Sequence, residues 1–320
     1  MTMREIPAEL ANAVYRRSAL PAPAPVVALG ESIRAAWGSA VQAILFYGSC
    51  LRTGEDRGGM VDLYLIVDRY RRAYRSSLWA SLNRLLPPNV FYLEIPFEDR
   101  VVRAKYAVLS MSDLENGVSP AWFHSYIWGR FAQPTALVYA RRPAVADRVC
   151  TLLGQAVLTF LDRVIPRLPV EFSIDELWLR GLTLSYRTEL RAERPEKMGA
   201  LFHSAADHYV RITDAALPAL SLPVEVIAGA ERRRYRSRIS ASVRLKSRIA
   251  WKLRSLQGKI LTLLRLLKGA FSFSGGLDYI LWKIERHTGV TVEVPPRLRR
   301  RPILALCVLG YRLYRRGAFR

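Results

Sequence analysis

The chain has 320 residues, of which 49 are lysine or arginine and 27 are aspartate or glutamate, so its formal charge is +22. With 51% hydrophobic and 24% charged residues, the composition excludes wholesale disorder and suits two domains with a substantial core. The three cysteines (Cys50, Cys150 and Cys307) are scattered and form no CxxC pair, which excludes a disulfide framework and disfavours structural zinc.

The opening residues predict neither a signal nor a transit peptide, because they contain Glu5 and Glu9 and lack an apolar run. No 18 apolar residues run uninterrupted, so a membrane-spanning helix is not expected. Of the basic residues, 42 are arginine, a bias typical of a GC-rich, bacterial genome.

The positive charge is concentrated near the C-terminus. Residues 231–268 contain 13 basic residues and one acid, a net charge of +12, and residues 297–320 contain eight arginines and no acid, a net charge of +8. These two segments supply nearly all of the formal charge, so the rest of the chain is close to neutral. Such a distribution indicates an anionic partner, either nucleic acid or an anionic membrane surface.

The hydrophobic pattern predicts a mixed α/β unit followed by a mainly helical one. In chain order the predicted elements are a helix at 31–37, a strand at 41–50 that ends in a Gly-Ser turn, a polar loop at 51–60, a strand at 60–68, a helix at 70–86 ended by two prolines, and strands at 90–95 and 104–111. Helical periodicity then extends from 144 to 220, within which 168–172 fits either a strand or a linker.

The Gly48-Ser49 turn and Asp62, which opens the next strand, form a layout typical of the nucleotidyltransferase superfamily. Small residues in the turn let backbone N–H groups approach a triphosphate, and a carboxylate beside it can hold Mg²⁺ against the phosphates. The usual second carboxylate is replaced by Tyr64, and Asp68 is about 20 Å further along the strand. Glu94 is therefore the better candidate for a second metal ligand, provided that its strand pairs beside the first.

Four segments in order resemble the mitochondrial-type phosphatidate cytidylyltransferases, the translocator assembly and maintenance family. The first, 47–68, is similar to that family's YGSG…MIDLIFAVD region, and the others lie at 104–138, 182–197 and 247–289. The second and third supply matched polar and aromatic residues, namely Lys105, Tyr106, Trp122, Tyr126, Gly129, Arg130, Pro134, Ser185, Tyr186, Arg191, Glu193 and Lys197. The chain departs from the family at Cys50, where the family has glycine, and it lacks the family's histidine-containing segments after the Asp strand.

The resemblance implies transfer of CMP from CTP to phosphatidic acid, giving CDP-diacylglycerol and pyrophosphate. Asp62 would hold Mg²⁺ with help from Glu94 or Asp68, and Gly48 and Ser49 would cradle the triphosphate. Lys105, Arg130 and Lys197 are the cationic candidates for the phosphates, with surface charge as the alternative for each. Tyr106, Trp122 and Tyr126 are interpreted as packing residues. His203 and His208 are interpreted as structural, and His124 and His287 show no metal-ligand spacing.

Residues 244–268 predict a helix with an apolar stripe among basic residues. Leucines entering the acyl boundary and cations meeting anionic headgroups are typical of an interfacial helix, with a core helix as the alternative. The residues predicted to bind the membrane are Arg248, Lys252, Leu253, Leu256, Lys259, Ile260 and Leu263. A second apolar stretch, 303–314, is long enough to lie in the interface.

These patterns predict an α/β (α+β) nucleotidyltransferase-like domain with a mixed sheet over 1–142, a mainly helical domain over 143–228 with a winged-helix-like option, and a basic amphipathic region over 229–320. The enzyme is expected at the cytoplasmic face of the inner membrane, or at the matrix side if the source is eukaryotic. Nucleic acid is disfavoured because the basic helix carries an aliphatic stripe. The alternatives are an enzyme acting on RNA or another phosphate-bearing acceptor, and a catalytically inactive relative.

Overall fold

The structure is a computed structural model that describes residues 4–54, 59–189, 195–228 and 233–272. It has the mixed α/β organisation that the hydrophobic pattern predicts. The strands are β1 (Val41–Tyr47), β2 (Val61–Val67), β3 (Asn89–Phe97), β4 (Arg100–Ser110), β5 (Ala136–Ala140), β6 (Glu171–Ser173), β7 (Glu225–Ile227) and β8 (Arg234–Arg236). The α-helices are α1 (Ala8–Ser18), α2 (Ala24–Trp37), α3 (Ser49–Thr53), α4 (Tyr70–Ala73), α5 (Ser77–Leu85), α6 (Met111–Val118), α7 (Trp128–Phe131), α8 (Pro143–Val164), α9 (Ile174–Tyr186), α10 (Pro195–His203), α11 (Ala206–Ala216) and α12 (Ala241–Ser272).

The main sheet has the strand order β3-β4-β2-β1-β5. β2 runs parallel to β4, and the other neighbouring strands are antiparallel. β1 and β2 are runs of aliphatic and aromatic residues that are almost wholly buried, as expected for strands covered on both faces. Because β1 and β2 are antiparallel, the end of β1 lies beside the start of β2.

The structure differs from the sequence-based elements at several places, and α2, for example, begins at Ala24 rather than at residue 31. The helix predicted over 70–86 is two helices, because Tyr74 takes an extended conformation after α4 and α5 begins only at Ser77. Part of the loop predicted over 51–60 is helical, since α3 continues directly from the Gly48 turn. The ambiguous segment 168–172 contributes to β6, which pairs with β8.

Two hydrophobic clusters cover the two faces of the main sheet. One joins Ala43, Leu45, Tyr64 and Ile66 to buried residues of α1, α8, α9 and α11. The other joins Ile44, Phe46, Leu63 and Leu65 to α2 and β4. The first cluster therefore includes residues on both sides of residue 142, and the β6–β8 pairing joins residues 171–173 to residues 234–236.

One described segment, Pro143–Arg167, is long and apolar enough to cross a membrane by length and composition. However, 67% of its apolar window is buried inside the protein. Within α8, Leu152, Ala156 and Phe160 belong to the core cluster that contacts the sheet. This burial is the ordinary behaviour of a core helix.

The predicted C-terminal helix is present as α12, which covers all of 244–268. Its Trp251 is buried and donates a hydrogen bond to the Arg163 carbonyl, which joins the helix to the end of α8. The second predicted interfacial stretch, 303–314, lies outside the described residues.

Candidate active site

The turn after β1 lies directly against the side chain of Asp62. Gly48 has φ of 89°, a left-handed conformation that favours glycine, and a Cβ atom there would overlap Asp62 Oδ2. The pairing of Tyr47 with Asp62 across β1 and β2 explains this proximity, because it brings the end of one strand to the start of the next. The sequence-predicted pair of Gly48 and Asp62 is therefore one site.

Lys105 belongs to the same site. It is the β4 neighbour of Asp62, and its Nζ lies 2.9 Å from Asp62 Oδ1. Oδ1 is buried, and the Lys105 ammonium is its partner among the described residues. The side chains are partly exposed, 24% for Lys105 and 15% for Asp62, so the pair can be reached from solvent. A cation and a carboxylate thus meet beside the turn.

Arg130 forms a second ionic pair on the same face of the sheet. Its Nη2 donates to Glu189 Oε1 at 2.8 Å, and its Nη1 donates to the hydroxyl oxygens of Tyr64 and Tyr126. Burial alone would lower the pKa of Arg130, but its interactions with Tyr64, Tyr126 and Glu189 outweigh that effect and raise the pKa. Arg130 is therefore a firmly held, permanent cation.

Tyr47 connects the two pairs. Its ring lies 5.6 Å from Arg130 Cζ, and Tyr47 is also the strand neighbour of Asp62. Tyr64, two residues after Asp62 on β2, is completely buried, with its ring 5.0 Å from that of Tyr47. Burial raises the pKa of both phenols well above the ordinary value, so both remain neutral hydrogen-bonding groups.

The structure does not bring Glu94 or Asp68 to Asp62. Glu94 can share a metal ion with Asp62 only if its strand, β3, pairs with β2. In the sheet β4 lies between β3 and β2, which places these two strands about 10 Å apart. Glu94 lies instead 3.5 Å from Arg103 Nε. Asp68 follows the far end of β2 and accepts a hydrogen bond from Arg72. Within the described residues, no three His, Cys, Asp or Glu side chains are grouped to hold a metal ion.

The structure describes the side chain of only one of the two other residues predicted to bind the nucleotide, Ser49 and Lys197. Ser49 is the exposed first residue of α3, directly after Gly48, so it lies at the site. Lys197 falls within α10, but its side chain lies outside the described part of the structure.

Helix α12 contributes residues that the sequence interpretation did not assign to a site. Arg265 Cζ lies 4.3 Å from the centre of the Tyr126 ring, and Arg265 Nε donates to the Pro87 carbonyl. One turn further, Lys268 Nζ donates to the carbonyls of Leu86 and Pro88. Burial, followed by repulsion from Arg265, lowers the pKa of Lys268 to about 8. The hydrogen bonds to residues 86–88 join sequence positions 178 to 182 residues apart, which helical periodicity cannot reveal.

His124 is buried next to the same ring. Its Nδ1 accepts a hydrogen bond from the Tyr126 backbone N–H, so the neutral imidazole carries its proton on Nε2. Burial and the nearby guanidiniums of Arg265, Arg254 and Arg130 lower its pKa to about 4. His124 is therefore neutral at pH 7.

The opposite face of α12 is solvent-exposed among the described residues. The four apolar members of the predicted set, Leu253, Leu256, Ile260 and Leu263, are between 51% and 60% exposed. Their basic companions, Arg248, Lys252 and Lys259, are also exposed. The side of the helix that faces the protein thus includes the basic residues Arg254 and Arg265 beside Trp251, while leucines face solvent, which is unlike an ordinary surface helix.

Comparison with known proteins adds little to this description of the site. No protein-family model and no curated protein matches the chain. Among solved structures, the chain is similar to a nucleotidyltransferase-like protein from Exiguobacterium sibiricum 255-15, with 11% identity, a TM-score of 0.26, and coverage of 91% of this chain and 92% of that chain. A TM-score of that size carries no argument, so the interpretation of the site depends on its own residues.

Proposed function

We propose that the chain is a nucleotidyltransferase that transfers CMP from CTP to phosphatidic acid at a membrane surface. The observation that carries the proposal is the contact between the Gly48 turn and Asp62, with Lys105 on the carboxylate. A turn without a side chain, a carboxylate and a cation are the groups that a nucleoside triphosphate needs beside it. The choice of CTP and of phosphatidic acid comes from the resemblance of the four sequence segments.

Mg²⁺ is part of the proposal, and the residues present fit one ion. Mg²⁺ is commonly bound by one or two carboxylates together with substrate phosphates and water, and Asp62 would supply the carboxylate once Lys105 Nζ, which lies 2.9 Å from its Oδ1, moves to the phosphates. Asp62 would hold the ion without help from Glu94 or Asp68. When bound, Mg²⁺ neutralises charge on the nucleotide phosphates.

The side chains have separate tasks in the proposed reaction. A phosphate oxygen of phosphatidic acid attacks the α-phosphorus of CTP, a new P–O bond forms, and the bond to the bridging oxygen breaks to release pyrophosphate. The acceptor phosphate is already ionised, so no general base is required, and positioning and charge neutralisation supply the catalysis. Lys105 would move its ammonium from Asp62 to the phosphates, and the Gly48 turn and Ser49 would hold the triphosphate.

The exposed face of α12 supports attachment to an anionic membrane. Leucines at helical spacing on an exposed surface gain free energy by entering the acyl boundary, at about 0.8 kcal/mol for each buried CH₂. The adjacent cations complement anionic headgroups, each worth about 1 kcal/mol near the surface. Phosphatidic acid resides in the bilayer, so an acceptor-binding enzyme gains from this attachment.

A catalytically inactive relative is the second candidate, and one observation favours it. Tyr64 stands where the second carboxylate is expected, and its hydroxyl is engaged by Arg130. Asp62 and Glu189 are each paired with a cation, so both ionic pairs are satisfied without a ligand. In such a protein the site would bind a nucleotide without turnover.

The test uses purified full-length protein with labelled CTP, Mg²⁺ and vesicles containing phosphatidic acid, followed by lipid extraction. We expect label in CDP-diacylglycerol and release of one pyrophosphate for each product, with CTP preferred to ATP. Equal use of ATP would contradict the CTP assignment. Nucleotide binding without product would favour the inactive relative.

A further inference from the structure

Two arginines from distant parts of the chain lie against one phenol ring. Arg130 Cζ is 4.4 Å and Arg265 Cζ is 4.3 Å from the centre of the Tyr126 ring. We propose that Arg265 and Arg130, with His124, form a subsite that binds a phosphate group of the substrate. This inference deepens the proposed function and rests on it, and it assigns α12 a part in substrate binding.

Two buried donors at this place have no acceptor among the described residues. Arg265 Nη1 is one, although its Nε is satisfied by the Pro87 carbonyl. His124 Nε2 is the other. Because Nδ1 of the same ring accepts a hydrogen bond from the Tyr126 N–H, Nε2 carries the proton and is a donor. A buried donor without an acceptor is destabilising, so two at one place indicate a missing acceptor.

Charge at the subsite points to an anion. The guanidiniums of Arg130, Arg254 and Arg265 all lie near enough to His124 to disfavour its protonation. Among the described residues, Glu189 is the carboxylate that pairs with one of them, Arg130. Arg254 is satisfied differently, since its Nε donates to the Phe123 carbonyl and its guanidinium lies over the rings of Phe123 and Trp251. Arg265 has the same kind of contacts, a carbonyl at Nε and the Tyr126 ring, but among the described residues its Nη1 also lacks an acceptor.

A phosphate group fits these donors better than a carboxylate. A phosphate presents three or more acceptor oxygens and can take the guanidinium fork of Arg265 and the His124 N–H together. The subsite also adjoins the Asp62 site, because Arg130 lies over the ring of Tyr47, the strand neighbour of Asp62. The phosphate belongs either to the nucleotide or to the acceptor lipid.

Gly258 lets α12 pack closely against residues of the proposed subsite. A Cβ atom at Gly258 would overlap the Thr188 carbonyl oxygen and lie 3.0 Å from His124 Nε2. Arg265 lies about two turns further along the same helix, whose outer face carries the exposed leucines. One helix therefore carries Arg265, the proposed phosphate-binding residue, on its inner face and the residues proposed to enter the membrane on its outer face.

The experiment measures binding rather than turnover. Isothermal titration with pyrophosphate and with CTP, and flotation with phosphatidic acid or phosphatidylcholine vesicles, are carried out on wild type, Arg265→Ala, Arg265→Lys and Arg71→Ala. Arg71 is an exposed arginine on α4 and serves as the matched control. Circular dichroism verifies folding, and Arg265→Lys retains the charge with a smaller perturbation.

We expect Arg265→Ala to weaken binding of at least one phosphate ligand by tenfold or more, Arg265→Lys to weaken it less, and Arg71→Ala to leave it unchanged. Weaker pyrophosphate and CTP binding would assign the subsite to the nucleotide, and loss confined to phosphatidic acid vesicles would assign it to the acceptor. Unchanged affinity of both folded Arg265 variants for every ligand, or no binding by wild type, would overturn the subsite. Binding through Arg265 without CMP transfer would retain the subsite and reject the proposed function.

Discussion

Gly48 and Asp62 lie so close that a single methyl group on the glycine would disturb the carboxylate. Gly48→Ala combines two effects, the cost of a left-handed conformation, about 1 kcal/mol, and an overlap with Asp62 Oδ2. Because displacing a catalytic group by about 1 Å lowers rates by about 100-fold, we expect at least that loss of CMP transfer.

Gly38→Ala is the control for Gly48→Ala. Gly38 also has a positive φ, 55°, but no atom lies within 4 Å of its added Cβ. Both variants are expected to lose a similar free energy of unfolding, measured with urea, because each places alanine at a positive φ. Gly38→Ala should nevertheless transfer CMP at the wild-type rate. Equal activity of the two variants would mean that the overlap with Asp62 has no consequence.

His124 makes a prediction about pH and stability. The pKa of His124 is about 4 in the folded protein and 6.5 as a free side chain. At any pH between these two values, His124 therefore binds more protons in the unfolded state than in the folded state. Stability therefore falls as the pH drops from 6.5 toward 4, and the contribution of His124 to that loss is about 3 kcal/mol. In urea unfolding at pH 7 and pH 4, we expect His124→Gln to lose about 3 kcal/mol less than wild type. Identical losses would contradict this assignment.

At the scale of elements, α12 combines two faces with different tasks. Replacing Leu253, Leu256 and Ile260 together by serine is expected to weaken flotation with anionic vesicles by more than about 100-fold, since three apolar side chains no longer enter the bilayer. The three residues are at least 51% exposed, so the unfolding temperature should change little.

The control for this surface is a pair of exposed leucines on α5. Leu78 and Leu85 are 62% and 80% exposed, and their replacement by serine removes apolar surface elsewhere on the protein. Flotation that is unchanged in the α12 variant, or equally reduced in the α5 variant, would show that α12 is not the attachment surface.

Local sequence patterns predicted the strands of the site better than the helix that follows them. β1 and β2 are buried runs of mainly apolar residues. The pattern therefore located both ends of β2 to within one residue and the end of β1 to within three residues. The break between α4 and α5 could not be seen, because it depends on tertiary contacts such as the hydrogen bond from Asn83 to the Tyr74 hydroxyl. For α12, the stripe spacing predicted the helix correctly, and packing alone shows which face is covered.

At the scale of the whole molecule, the sequence indicated the Gly48 turn and Asp62 because one follows the end of β1 and the other lies at the start of β2, the next strand along the chain. It could not place Glu94, since strand order is a property of the folded sheet and β4 enters between β2 and β3. Arg265 was missed for a related reason. Its partners Tyr126 and Pro87 are far away in sequence, and its own neighbours show only helical periodicity.

The most direct test compares Asp62→Asn with Asp68→Asn in the transfer of CMP from labelled CTP to phosphatidic acid vesicles. Asp62 lies at the turn, whereas Asp68 lies at the other end of the same strand and pairs with Arg72. We predict that Asp62→Asn reduces turnover at least about 1,000-fold while remaining folded, and that Asp68→Asn keeps the wild-type rate. Near-normal turnover by Asp62→Asn, with the fold intact, would contradict the central role of this site.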